Sequence, residues 1–366
     1  MPEPIKNMLN SAAIKEFAEA IKSVYDAFDA DGFCNAVVDN EYDSLELMAR
    51  GRKISAELGS FLPKAYQDAI AVIDKVIAKF QGFAAFSFFE FVAIFGLEFW
   101  DVSVAALGRY TQYFSAEFAV RPFIIKDEKR MMAQMLEWSK SDNEHLRRLS
   151  SEGCRPSLPW AVGLPKYKKD PSPIFPILEN LRADTSLYVR KSVANNLNDI
   201  SKTHPELVIE IAKRWYGTDE KTNWIVKHGL RTLLKKSNPD ALAIFGLGNS
   251  GAVEVSDLVI GSSSVVWGGD LIFSFVITAK ADTKVRLEYG IDYMKANGKQ
   301  SRKVFQISEI LLSQNQIKHY TRKHALADHS TRKHYAGAHA VTLIANGQER
   351  GTLEFELAKE IIKQKK

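Results

Sequence analysis

Asp184-Thr-Ser-Leu-Tyr-Val-Arg-Lys191 runs from a capping-type residue into an aliphatic-basic pair, and the chain does this three times. Asp142-Asn-Glu-His-Leu-Arg-Arg148 precedes it and Thr222-Asn-Trp-Ile-Val-Lys227 follows it. An Asp or Thr at such a start can accept bonds from the free N–H groups of a helix's first turn. The matching basic residues Arg147, Arg190 and Lys227 are 43 and 37 residues apart. A repeat near this length, built only of helices, is the signature of a HEAT or armadillo-like solenoid, in which each unit buries its apolar face on the next. Earlier segments align less well with this pattern.

Helical periodicity extends from about Asn10 to about Phe245. Apolar positions recur every three or four residues, as in Ala69, Ile73, Val76, Ile77 and Phe80. Prolines fall between such stretches, at Leu62-Pro63, Arg155-Pro156, Leu164-Pro165 and Asn238-Pro239. The most apolar run, Phe83 to Trp100, is interrupted by Glu90 and Glu98, which predicts a buried core helix rather than a membrane span. The character changes at Gly246-Leu-Gly-Asn-Ser-Gly251, a flexible composition. Short β-branched and aromatic runs follow: Val253–Ile260, Leu271–Ile277, Lys284–Tyr289, Lys303–Ile307, Ala340–Ala345 and Thr352–Leu357. Asn346-Gly347 between the last two signals a tight hairpin. Six or seven strands in about 110 residues predict an immunoglobulin-like β-sandwich. The expected architecture is therefore multidomain: an all-α HEAT-like solenoid over 1–246, then an all-β immunoglobulin-like sandwich over 252–360.

Composition agrees with two domains, since 366 residues at 46% hydrophobic exceed what one core usually holds. The net charge of +5 is only mildly basic, but its placement is uneven. Between Tyr293 and Ala340 nine Lys or Arg face two acids, Glu309 and Asp328, and five of the eight histidines lie there. Those histidines, His319, His324, His329, His334 and His339, recur every five residues, a period of neither helix nor strand. No cysteine or carboxylate cluster completes a metal set, so the segment, with Lys318, Arg322, Lys323, Arg332 and Lys333, reads as a basic loop or strand edge for phosphates, ahead of a zinc site. Cys34 and Cys154 are isolated, which argues against a disulfide framework and fits a reducing cytoplasm. The N-terminus lacks a signal-peptide pattern, so a soluble cytoplasmic protein is expected. Phosphate-loop, serine-hydrolase-elbow and zinc-protease motifs are absent from the sequence.

Chemistry concentrates in His145-Leu-Arg-Arg-Leu-Ser-Ser-Glu-Gly-Cys-Arg-Pro-Ser-Leu-Pro-Trp-Ala161. Arg148 and Glu152 lie four apart on one helical face, the spacing of an ordinary surface ion pair. Three arginines, one carboxylate and Trp160 on a proline-fixed turn exceed what a plain repeat needs. In the next repeat Lys191, Asn195 and Asp199 form one polar stripe, either a solvated face or a site. Two adjacent asparagines, Asn195 and Asn196, are poor helix formers without compensating contacts. Lys227, Arg231 and Lys235 form a purely basic stripe. Stacked repeats would place Arg147/Arg148, Arg190/Lys191 and Lys227/Arg231 side by side as a phosphate-tracking surface. Carboxylates embedded there, Glu152 and Asp199, repel phosphate and therefore call for a reason. Glu117, in Ser115-Ala-Glu-Phe-Ala-Val-Arg-Pro-Phe123, reads by itself as a helix-end acid beside Arg121.

Arg148-Leu-Ser-Ser-Glu-Gly-Cys-Arg-Pro-Ser-Leu-Pro-Trp160, Tyr188-Val-Arg-Lys-Ser-Val-Ala-Asn-Asn-Leu-Asn-Asp199, Ile225-Val-Lys-His-Gly-Leu-Arg-Thr-Leu-Leu-Lys235 and Glu117-Phe-Ala-Val-Arg-Pro-Phe123 closely resemble the AlkC-type DNA alkylation-repair glycosylases. The resemblance covers essentially the whole chain, including the C-terminal domain that the shorter AlkD proteins lack. It implies removal of cationic bases, chiefly N3-methyladenine and, for the AlkC branch, N3-methylcytosine, without flipping the base into a pocket; a monomer acting on duplex DNA without a cofactor is expected. Carried over by motif, Glu152 and Asp199 would face the lesion with Glu117 as a third acid. Arg148 and Trp160 would shape the same site. Arg190 would sit at the DNA backbone, where Arg147, Arg155, Lys191, Lys227 and Arg231 are also expected as basic residues of the repeats. AlkD-type proteins have a tryptophan in the helix matching Ile225–Lys235, where this chain has Arg231. The rival reading is a non-catalytic solenoid that binds DNA or protein.

Overall fold

The computed structural model describes residues 4–328 and 333–358. Sixteen α-helices fall among them, the last ending at Ile244, and eight strands begin at Val253. The composition break at 246–251 is thus where helix gives way to strand. By compactness, one unit runs to Val208 and resumes at Trp215–Gly229. The other takes Ile209–Arg214 and then the chain from Leu230 onward, so the short helices Arg231–Lys235 and Pro239–Ile244 group with the strands.

In the first unit the periodic residues Ala69, Ile73, Val76, Ile77 and Phe80 are all buried. The apolar run forms the helix Phe86–Phe95, which buries four phenylalanines. Among the described residues no helix is long and apolar enough to cross a membrane. Glu90 is buried inside this helix and pairs with Arg52 at 3.2 Å.

The three similar starts become the helices Glu144–Gly153, Leu187–Ile200 and Glu220–Gly229, and the middle one packs against both others. Their caps differ from the sequence expectation. Asn143, not Asp142, accepts from the His145 N–H at 2.9 Å. Asp219 accepts from Lys221 and Thr222, while the Thr222 hydroxyl is buried and donates to the Arg182 carbonyl at 2.9 Å. What repeats is the arginine. Arg147 folds back to the carbonyls of Ser141 and Asp142, and Arg190 to those of Asp184 and Thr185, the same offsets in both units.

The second unit holds the strands β1 (Val253–Ile260), β2 (Ser264–Val266), β3 (Asp270–Ala279), β4 (Thr283–Met294), β5 (Gln300–Leu312), β6 (Ile317–Ala325), β7 (Gly337–Ala345) and β8 (Gln348–Ala358). They form a three-stranded sheet in order β1-β3-β6 and a five-stranded sheet in order β2-β8-β7-β4-β5. Alternate residues of both sheets, among them Phe273, Phe275, Leu287, Ile291, Leu343 and Phe355, share one apolar core. Asn346 and Gly347, both at positive φ, make the β7–β8 hairpin turn that the dipeptide predicts. The Asn346 side chain is buried there, accepting from the Arg286 N–H at 2.8 Å and donating to the carbonyl of Lys284.

Candidate active site

The ends of two neighbouring helices in the first unit carry a row of alternating charges. Its acids and bases, in spatial order, are Glu117, Arg148, Glu152, Arg155, Asp199 and Lys202. Arg148 pairs with Glu117 and approaches Glu152 at 3.6 Å. Arg155 Nη1 donates to Glu152 Oε1 at 2.5 Å, and its Nε donates to Asp199 Oδ2 at 2.9 Å. Lys202 closes the row by donating to Asp199 Oδ1 at 2.9 Å.

Local structure sets where these helix ends lie. Gly153 ends the helix Glu144–Gly153 where a Cβ would stand 2.7 Å from Val120 Cγ2 and 2.8 Å from Met135 Cε, so only glycine fits without a shift. The contact with the helix Leu187–Ile200 is polar and uses small residues. The Ser151 and Ser192 hydroxyls meet at 2.6 Å, and Asn196 donates to the Ser151 carbonyl at 2.8 Å. That bond is the compensation a mid-helix asparagine requires. Asp199 stands one turn further on, on the buried end of the stripe that starts at the exposed Lys191.

Burial makes the row chemically distinctive. The side chains of Glu152 and Asp199 are 5% and 3% exposed, whereas Lys202 is 47% exposed. Burial works against the charge on Arg155, but Glu152 and Asp199 outweigh it and raise its pKa. Arg148 is raised in the same way, burial being overcome by Glu152 and Glu117. Three carboxylates thus face two buried guanidinium groups, leaving one excess negative charge that Lys202 meets from the solvent side. Glu152 Oε2 is buried with no hydrogen-bond partner among the described residues, so its carboxylate keeps unused acceptor capacity.

Two calls move. Arg155, read from sequence as a backbone-facing base, is buried between the two carboxylates and belongs to the row. Glu117 does not pair with Arg121. Its partner is Arg148, and Arg121 is wholly buried, donating to backbone carbonyls. Trp160 lies on the loop after Arg155 at φ 63° and is 66% exposed, its ring 6.3 Å from Phe83. A large aromatic held in the left-handed region and open to solvent is the kind of local cost that persists at functional sites. Residues the sequence reading missed are Tyr188, whose ring lies 5.0 Å under the Arg148 guanidinium, Lys202 and Ser115, which accepts from Arg148. Lys202 stands three residues past Asp199, a helical spacing that could have signalled the pair.

Of the remaining basic residues in this unit, Lys191 and Lys227 are exposed and Arg190 half-buried, its guanidinium 5.9 Å from the Trp224 ring. Arg147 is committed to Asp184 through two bonds of 2.7 and 3.2 Å. In the second unit Arg231 is half-buried. Lys318, Arg322 and Lys323 lie on β6, an edge strand of the three-stranded sheet, so the basic segment is a strand edge. Lys323 pairs with Asp270 at 2.8 Å, and Lys333 is exposed. Arg332 and His329 lie outside the described residues. The other histidines divide. His319 is exposed, but His324, His334 and His339 are buried, His324 between the hydroxyls of Tyr289 and Tyr293 at 2.9 and 2.6 Å. Among the described residues no three His, Cys, Asp or Glu side chains gather to hold a metal.

Known proteins align with both units. A family model described as "DNA alkylation repair enzyme" matches residues 114–233, a span that contains the whole charged row. A second, described as "Uncharacterised protein YhaZ, C-terminal Ig-like domain", matches residues 254–359. The Bacillus subtilis (strain 168) protein YhaZ is 44% identical over 353 residues, which is 96% of this chain and 99% of its own. A structure of the Pseudomonas fluorescens alkylpurine DNA glycosylase AlkC, bound to DNA containing an abasic site analog, is 37% identical. It superposes with a TM-score of 0.94 over 97% of this chain and 100% of that one.

Proposed function

The chain belongs to the AlkC-type family of DNA alkylation-repair glycosylases, and we propose that it is a monofunctional glycosylase removing cationic alkylated bases, N3-methyladenine and N3-methylcytosine, from duplex DNA. It does so as a cytoplasmic monomer, with the helical domain 1–246 holding the chemistry and the β domain 252–360 adding contacts to DNA. The observation that carries this reading is the buried row in which Arg155 joins Glu152 to Asp199.

Methylation at N3 gives the base a positive charge, so it departs readily without a general acid. The remaining barrier is the oxocarbenium-like sugar. Fixed negative charge in a water-poor site stabilises that cation far more than the same charge would in water. Arg148 and Arg155 hold the carboxylates of Glu117, Glu152 and Asp199 in place, so little reorganisation is needed when the sugar becomes positive. A carboxylate with a spare oxygen, as on Glu152, can also orient the attacking water as a base. The exposed Trp160 ring offers a face to a cationic base, which it attracts more strongly than a neutral one. Lys191, Arg190 and Lys227, with Arg231 and the β6 edge residues Lys318, Arg322 and Lys323, supply charge for phosphates. No particular lysine stands out as a Schiff-base nucleophile, so no strand cleavage accompanies base release.

The test is release of free base from a duplex oligonucleotide carrying one N3-methylcytosine or one N3-methyladenine, with the Glu152→Gln variant alongside. Release by the wild type and not by the variant supports the activity and its carboxylate. Salt-sensitive DNA binding without release from either lesion would replace it with a non-catalytic DNA-binding role.

A further inference from the structure

Arg121 opens the short helix Arg121–Lys126 and is wholly buried, yet its acceptors are all backbone carbonyls. Nε donates to Val162 at 2.6 Å, and Nη1 donates to Gly153 at 2.8 Å and to Arg155 at 3.1 Å. Those acceptors stand at the two ends of one loop. Gly153 and Arg155 lie where the chain leaves the helix Glu144–Gly153, and Val162 lies after it has passed Trp160. Inside the loop the backbone helps itself little. Pro156 and Pro159 have no N–H to give, and Trp160 is held at φ 63°.

A buried guanidinium is costly unless its donors are satisfied, and Nη2 is buried with no hydrogen-bond partner among the described residues, so the three carbonyls offset that cost only in part. Burial without a close carboxylate pushes the Arg121 pKa down to about 10, which leaves it charged at neutral pH. An apolar side chain would fill the same space at lower cost but could not tie two strands of backbone together. We infer that Arg121 is a positioning residue for base excision: it staples the 153–162 loop shut and so fixes both the Arg155 side chain, between Glu152 and Asp199, and the Trp160 ring. The inference rests on the glycosylase reading for its effect on rate and on the loop geometry alone for its effect on Trp160.

Arg121→Lys keeps a cation but can serve fewer carbonyls, and Arg121→Met removes every donor. Single-turnover excision is measured over a range of enzyme concentrations, beside thermal melting and acrylamide quenching of tryptophan fluorescence. The contribution of Trp160 is isolated by subtracting the same data for Trp160→Phe. Trp160 is the most exposed tryptophan, Trp100, Trp224 and Trp267 being half-buried, so its share is read from that difference. Arg121→Lys is expected to melt cooperatively near the wild type and to reach half-saturation within about threefold of it. Its maximal excision rate is expected to fall about 10- to 100-fold, as small misplacements of reacting groups do. Trp160 quenching steepens, and Arg121→Met loses more of both, so that lysine stands as a partial rescue. Wild-type rate and quenching in a folded Arg121 variant overturn the inference, as does a rate loss that only follows the unfolded fraction. If Arg121→Met does not fold, Arg121→Lys decides. If the wild type releases no base, the functional reading fails, and unchanged Trp160 quenching in Arg121→Lys would separately refute the staple.

Discussion

Arg155 Nε donates to Asp199 Oδ2 across 2.9 Å, although the two side chains come from different helical repeats. The same guanidinium reaches Glu152 at 2.5 Å, so one buried cation bridges two buried carboxylates. Neutralising one partner of such a set leaves the others uncompensated in a poorly solvated site. Arg155→Met is therefore expected to destabilise the protein by about 3–5 kcal/mol, read from the shift in a urea unfolding midpoint. An unshifted midpoint would mean that the carboxylates are hydrated in solution and that the row is not a buried charge system.

Asp199→Asn and Glu152→Gln keep shape and remove charge. If fixed anions stabilise the sugar cation, each variant lowers single-turnover excision by about 10²-fold or more while DNA affinity stays nearly unchanged. Wild-type rates in both variants would end the argument for carboxylate catalysis. Tight binding together with lost rate would place their contribution in the transition state.

Glu90 shows the opposite electrostatic balance. Burial raises its pKa above the ordinary 4.5, and Arg52 offsets this only in part. The folded chain then holds a proton that the unfolded chain has released, so stability falls as pH rises from about 4.5 through the raised value. Glu90→Gln should raise the melting temperature at pH 7 and have little effect at pH 4. The Arg52 side chain left behind is half-exposed and readily hydrated. A drop at pH 7 would assign net stabilisation to the Glu90–Arg52 pair.

How far the sequence could be read depended on whether a feature was local. The β7–β8 hairpin was legible because Asn346-Gly347 specifies its own turn, and β1 was legible from its β-branched run. β6 was not, since Lys318, Tyr320, Arg322 and His324 occupy its inward-leaning positions, and no apolar alternation marks it. Three residues are too few for β2 to give a pattern. In the first unit the crowding of Arg148, Glu152 and Trp160 singled out the candidate site. The bond from Arg155 to Asp199 spans 44 residues and depends on Ser151, Ser192 and Asn196 drawing two helices together. Arg155 therefore looked like surface charge. Arg121 and Glu117 looked like neighbours in one turn, but tertiary acceptors claim each of them separately.

Gly347 turns the β7–β8 hairpin at φ 76°, and an added Cβ would stand 2.6 Å from Leu242 Cδ1 and 3.0 Å from Ser237 Cβ. Gly347→Ala combines left-handed strain with overpacking against the helix Pro239–Ile244. It should cost about 2–4 kcal/mol, visible as a lowered melting temperature with base release at low temperature unaffected. A melting temperature equal to that of the wild type would show that Leu242 and Ser237 move aside and that the turn tolerates a side chain.

Arg147 and Lys191 differ in burial, and under the proposed function Arg147 serves the fold and Lys191 the phosphates. Arg147 is bidentate to Asp184 with both side chains largely buried, and it also caps the loop carbonyls of Ser141 and Asp142. Lys191 is exposed on the outer stripe of the helix Leu187–Ile200. Arg147→Ala should cost about 2–4 kcal/mol of stability, because it strands the Asp184 carboxylate, and should leave the salt dependence of DNA binding nearly as it was. Lys191→Ala should leave stability within about 0.5 kcal/mol and weaken binding to damaged and undamaged duplexes alike. It should also flatten the plot of log affinity against log salt by about one, the loss of a single released counterion. Reversed outcomes, with Arg147→Ala changing the salt slope and Lys191→Ala changing only stability, would move the phosphate track from the exposed stripe to the row of helix-start arginines. Equal slopes in both variants would leave the phosphates to other cations of the chain.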